Sequence, residues 1–147
     1  MPQLGNSLMI IEDFGDNSFN NISSNNNKLE EELYKNAIDN LVKLHKITPP
    51  AFLVDHSNKI LLECIEIFYH YVQNSSNQEQ YLTLWQRLLS NLSNKQKVIV
   101  LRDFHADNLF WLAAREGSQK TGIIDFQDAS IGNPAYDLAS LLEDARH

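Results

Sequence analysis

The residues best suited to chemistry stand close together, between Leu101 and Asp128. The segment Leu101-Arg102-Asp103-Phe104-His105-Ala106-Asp107-Asn108 follows directly on the apolar run Val98-Ile99-Val100, and Ile124-Asp125-Phe126-Gln127-Asp128 ends a further apolar run, Gly122-Ile123-Ile124. Phosphoryl transfer needs a carboxylate to orient the attacking hydroxyl and hard oxygen donors to hold magnesium against phosphates. Asp103 suits the first task, and Asn108 with Asp125 suits the second. Taken singly, each Asp is as readily a turn former or a helix cap. The combination is more specific. Leu109-Phe110-Trp111-Leu112 and Thr121-Gly122-Ile123-Ile124 read as the strands of a β-hairpin, joined by the polar link Ala113 to Lys120. Asn108 leads into one strand and Asp125 leaves the other, so antiparallel pairing puts both at one end, within reach of one ion.

The elements that must position these loops follow from periodicity. Leu8-Met9-Ile10-Ile11 has strand character and ends in the polar turn Glu12 to Asn17. Asn and Ser dominate residues 17–28, which read as a flexible loop without catalytic meaning. Leu29 to Lys46 shows helical spacing, with Leu33, Ala37, Leu41 and Leu44 on one face, a basic end and Pro49-Pro50 beyond the stop. A second helix runs from Ser57 to Val72, with Ile60, Cys64, Ile67, Phe68 and Tyr71 expected inward. A third spans Glu79 to Leu92 and carries Leu82, Trp85, Leu88 and Leu89. Asn133-Pro134 starts a last helix, Ala135 to Arg146. The fold class expected from this order is α+β. The aromatics Phe68, Tyr69, Tyr71 and Trp85 fit either a core or a sugar-stacking face, and helical spacing favours core.

Composition narrows the partners. A chain of 147 residues, 43% hydrophobic and 21% charged, is sized for one ordinary globular domain. A formal net charge of −7 argues against nucleic acid or an anionic membrane surface as partner. Cys64 has no partner for a disulfide and no zinc spacing around it, so it is expected as a buried structural thiol. The stretch Met1-Pro2-Gln3-Leu4-Gly5 lacks the basic and apolar regions of a signal peptide, and the expected location is cytoplasmic.

The spelling of residues 101–109, of 123–129 and of Pro134-Ala135-Tyr136-Asp137-Leu138-Ala139-Ser140-Leu141-Leu142-Glu143-Asp144-Ala145-Arg146 resembles the aminoglycoside phosphotransferase and choline kinase group, which shares the protein kinase fold. It is most similar to the branch of bacterial N-acetylmuramate/N-acetylglucosamine kinases of cell-wall recycling. The resemblance implies a partial kinase-like fold, a hinge strand plus a mainly helical C-lobe with a catalytic β-hairpin. It implies Asp103 as catalytic base, Asn108 and Asp125 as magnesium ligands, and ATP (or GTP) and Mg2+ as cofactors. His105, Asp128, Asp137 and Arg102 would be supporting residues, Asp137 by bracing the catalytic loop through backbone hydrogen bonds. Backbone groups of Glu12, Asp13 and Phe14 would meet the adenine.

The same resemblance divides the chain into residues 1–16, the last N-lobe strand and hinge; 17–28, the loop; and 29–147, a partial C-lobe with catalytic loop 101–108 and metal loop 124–128. The residues ahead of Glu12 contain neither Lys nor Arg, so the Lys that clamps the phosphates has no counterpart here. The expectation is a fragment or split chain of a small-molecule phosphotransferase, slow by itself and completed by a separate N-lobe polypeptide. Its acceptor would be an amino sugar or an aminoglycoside. The alternatives are a catalytically inactive remnant or binding module of the same fold, and an unrelated α+β domain with accidental acidic turns.

Overall fold

A computed structural model describes residues 11–23, 27–55, 58–72, 77–92 and 97–143. Five helices and four short strands follow in the order α1 (Phe19–Ser23), α2 (Asn27–Leu44), α3 (Asn58–Val72), α4 (Gln78–Leu92), β1 (Val98–Val100), β2 (Leu109–Trp111), β3 (Thr121–Ile123), β4 (Ser130–Gly132) and α5 (Ala135–Leu142). The mixture is α+β, as the periodicity predicts.

β2 and β3 form the expected antiparallel hairpin, with Phe110 opposite Gly122 and Leu109 opposite Ile123. Its link is more ordered than a polar loop. Residues Gly117–Lys120 form a 3-10 turn, gripped by the polar side of α2. Asn36 donates from Nδ2 to the Gly117 carbonyl at 2.9 Å and accepts from the Thr121 hydroxyl at 2.7 Å, while Asn40 donates to the Ser118 carbonyl at 3.1 Å. The adjoining face of α2 buries Leu33, Ala37 and Leu41, the face that helical spacing selects. They join Phe19, Phe104, Ala106, Leu109, Trp111 and Leu141 in one core directly beneath the two acidic loops.

Several expectations need correction. Within 17–28, Phe19–Ser23 is helical and Phe19 is wholly buried. Ser18 makes this possible: its hydroxyl accepts the Asn21 N–H at 3.2 Å and its carbonyl accepts the Ile22 N–H at 3.2 Å. Polar residues thus cap this turn, and one aromatic anchors it. The segment also extends the hairpin, since Ser18 bridges Phe110 antiparallel and the Trp111 N–H donates to the Asn17 carbonyl at 2.8 Å.

β1 pairs with β4, a strand in a stretch that the sequence assigned to no element, with Val100 opposite Ser130. A side chain at Gly132 would meet Val100 Cγ2 at 2.8 Å, which explains the glycine there.

In α3 the inward edge is Tyr69, stacked on Tyr81 of α4 with ring centroids 5.1 Å apart, and not the stripe expected. Cys64, Ile67 and Phe68 are exposed. The stripe on α3 is wide enough to offer more than one inward edge, and packing on α4 selects the one through Tyr69. On α4, Leu89 is buried whereas Leu88 is exposed. Leu8 to Ile10, Tyr71's side chain and Asp144 to His147 lie outside the described residues.

Candidate functional site

β1 delivers the chain into the first acidic loop, and α5 holds that loop from below. Asp137, in the first turn of α5, has no solvent exposure. Its Oδ2 accepts the Leu101 N–H at 2.8 Å and its Oδ1 accepts the Arg102 N–H at 2.9 Å, while the Ser140 hydroxyl donates to the Arg102 carbonyl at 3.4 Å. These bonds fix Arg102 at φ +75°, a left-handed conformation that costs an ordinary residue on the order of 1–3 kcal/mol. The turn at Arg102 leads directly into the half-buried Asp103. Burial pushes the Asp137 carboxyl up in pKa, against the lowering effect of its two backbone bonds.

Asp103 and Asn108 are tied within one turn. The Asn108 amide nitrogen donates to the Asp103 carbonyl at 3.0 Å and lies 3.2 Å from Nε2 of His105. His105 itself donates its N–H to the Asp103 carbonyl at 3.2 Å. With its Nδ2 engaged, Asn108 keeps its side-chain oxygen for another partner. The second acidic loop is stitched to the first, since the Ile124 N–H donates to the Asn108 carbonyl at 3.1 Å. That bond joins Asn108 to Ile124, the residue before Asp125, at the hairpin end. Asp125 is exposed, sits at φ +58°, and accepts the Gln127 amide at 2.6 Å. Asp128 is also exposed and makes no hydrogen bond among the described residues.

Asn108 and Asp125 offer a side-chain amide oxygen and a carboxylate, both hard donors. No cluster of three or more His, Cys, Asp or Glu able to hold a metal occurs among the described residues. That donor set does not suit a closed zinc site or an all-protein calcium cage. It fits magnesium, which keeps several waters and shares its remaining positions with phosphate oxygens.

Residues 11–15, the segment expected to form the hinge, pack along the hairpin. Ile11, Glu12, Asp13, Phe14 and Gly15 line a cavity of about 300 Å³ together with Phe110 and Ile124. Phe110 lies on the strand that Asn108 opens, and Ile124 immediately precedes Asp125, so the cavity adjoins the candidate metal ligands. Gly15, at φ +69°, lets the chain turn while donating its N–H to Asp13 Oδ1 at 2.8 Å. The Phe14 ring rests on Phe110, centroids 6.1 Å apart, and over Gly122, where any Cβ would stand 2.6 Å from the ring.

Sequence reasoning missed several residues that build this site. Asn20 donates to Asp107 at 2.7 Å and so anchors α1 to the first acidic loop. Asn36 and Asn40, one helical turn apart, stand at the edge of the apolar face of Leu33, Ala37 and Leu41. Phe110 and Ile124 were legible only as strand residues, although each stands next to a residue singled out for chemistry.

This arrangement and the sequence together define the class: the chain belongs to the phosphotransferase enzyme family, which it matches over residues 6–147. Among curated relatives, it is 31% identical to an N-acetylmuramate/N-acetylglucosamine kinase of Caulobacter vibrioides, over 95% of this chain and 42% of that protein. It is likewise 31% identical to the protein of that name from Neisseria meningitidis serogroup B, over 94% of this chain and 43% of the other. The chain therefore spans about two fifths of the length of these relatives. In fold it is similar to an aminoglycoside-3'-phosphotransferase of type VIII, with a TM-score of 0.54 and 17% identity, covering 83% of this chain and 47% of that one.

Proposed function

We propose that this chain is part of an ATP- and magnesium-dependent phosphotransferase acting on a hydroxyl of an amino sugar. The observation that carries the reading is the bond from Ile124 N–H to the Asn108 carbonyl, which joins the loop of Asp103 to the loop of Asp125. In this reading Asp103 orients the acceptor hydroxyl and takes its proton, while the Asn108 side-chain oxygen and the Asp125 carboxylate hold magnesium. Bound magnesium supplies positive charge to the transferring phosphates, which matters in a chain of net charge −7. The nucleotide base occupies the cavity between the hinge residues, Phe110 and Ile124. His105 fixes the rotamer of Asn108, Asp137 fixes the turn at Arg102, and Asp128 makes no hydrogen bond among the described residues.

The names of the relatives support N-acetylmuramate or N-acetylglucosamine as acceptor, with cell-wall sugar recycling in the cytoplasm as the setting. Among the described residues no helix is long and apolar enough to cross a membrane. The reading includes a separate N-lobe polypeptide as partner.

The test is transfer of phosphate from MgATP to either sugar, or to an aminoglycoside, by the full chain alone and with such a partner. Asp103→Asn should lower any turnover by about 10²–10⁴-fold. Calorimetry with MgATP separates this reading from an inert remnant. Magnesium-independent binding, or binding indifferent to Asp125→Ala, would defeat the assignment of the metal ligands.

A further inference from the structure

Arg115 reaches back from the hairpin link to the hinge. The turn that carries it is closed by its own N–H donating to the Leu112 carbonyl at 3.0 Å. From there the guanidinium pairs with the Glu12 carboxylate and lies over the Phe14 ring, 5.8 Å from its centroid. Both partners line the hinge cavity. Phe14 also packs on the hairpin itself, at Phe110 and Gly122. Arg115 thus closes a clip: link residue to hinge acid, hinge aromatic to hairpin floor.

We propose that Arg115 is the positioning residue for the nucleotide base, an inference that rests on the nucleotide reading of this cavity. It acts through Glu12 and Phe14 rather than by touching phosphate. Pairing with Glu12 ties the hairpin link to this segment. The stacked guanidinium also holds the Phe14 ring on Phe110, so the apolar wall is formed before the base arrives. A half-exposed ion pair is weak alone, whereas the cation–π contact adds a second, geometrically selective restraint. A preformed wall binds more tightly because less ordering accompanies binding.

The experiment is calorimetry of the full chain with MgATP and with magnesium tripolyphosphate, which has the phosphates and no base. Arg115→Ala should weaken MgATP by about fivefold to tenfold and leave tripolyphosphate unchanged. Arg115→Lys should fall between, keeping the ion pair and losing the planar stack. Lys97→Ala, which breaks the exposed pair with Asp55, should change neither ligand. Equal weakening of both ligands, or none for MgATP, overturns the role. Amide hydrogen exchange of Glu12 to Gly15 in nucleotide-free protein judges the clip apart from the nucleotide reading: exchange should quicken in Arg115→Ala. Wild type that binds MgATP no better than tripolyphosphate defeats the base-pocket reading, and unchanged exchange defeats the clip.

Discussion

Replacing Asp137 by Asn is the sharpest probe of how the first acidic loop is held. The carboxylate accepts two backbone N–H groups at 2.8 and 2.9 Å from a position with no solvent exposure. An Asn of the same shape keeps one acceptor and turns an NH2 toward the other amide, so one buried N–H loses its partner and meets a donor. Losing a hydrogen bond to a charged acceptor costs about 1.5–3 kcal/mol. Removing a carboxylate whose pKa burial has raised returns part of its desolvation cost. A net destabilisation of about 2 kcal/mol is expected, equivalent to a fall in melting temperature of about 4–8 °C for a domain of this size. The loss should be local as well. The amides of Leu101 and Arg102 should lose hydrogen-exchange protection, because the left-handed turn at Arg102 is no longer pinned. Asp128→Asn, at an exposed position without a hydrogen bond, should stay within about 0.5 kcal/mol. Should Asp137→Asn melt like wild type with both amides still protected, the brace described above is not what holds the loop.

Other expectations follow from the same geometry. Phe19→Ala removes a wholly buried ring from the core under the loops and should cost about 3–5 kcal/mol in denaturant unfolding; a loss below about 1 kcal/mol would return residues 17–28 to the status of a loose loop. Gly122→Ala places a Cβ 2.6 Å from the Phe14 ring, which must swing away, so it should cost about 1–2 kcal/mol and abolish any Phe14–Phe110 ring-current shift seen by NMR. His45, at the end of α2, has a pKa lowered by burial, with the nearby Asp137 charge opposing. Neutral His45 therefore contributes stability that is present above its ordinary value of 6.5 and lost as pH falls through the lower folded value. Asp137 works in the opposite sense, because its raised pKa makes stability fall as pH rises through the folded value. His45→Gln should accordingly flatten the loss of stability on mild acidification, measured by melting temperature between about pH 7 and 5; an unchanged slope would show that His45 does not titrate with folding.

How much of this was readable in one dimension depends on the range of the forces involved. Local chemistry was readable. The hairpin and the buried face of α2 follow from strand and helix periods and from antiparallel geometry, which act over a few residues. The family, too, is written in three short stretches of spelling. Contacts between distant segments were not readable. Phe19 and Ser18 fold a supposed loop into a helix because Trp111 and Phe110 offer them a core and a strand edge. β4 exists because Val98 to Val100 needs a partner. Tyr69 rather than Cys64 turns inward because α4 presents Tyr81 to it. The arm of Arg115 reaches the hinge only once the hairpin link has been clamped by Asn36 and Asn40. Each of these outcomes was chosen among several that the local pattern permits equally, and burial against a remote neighbour made the choice, because side-chain packing and backbone pairing have no signature within the segment itself.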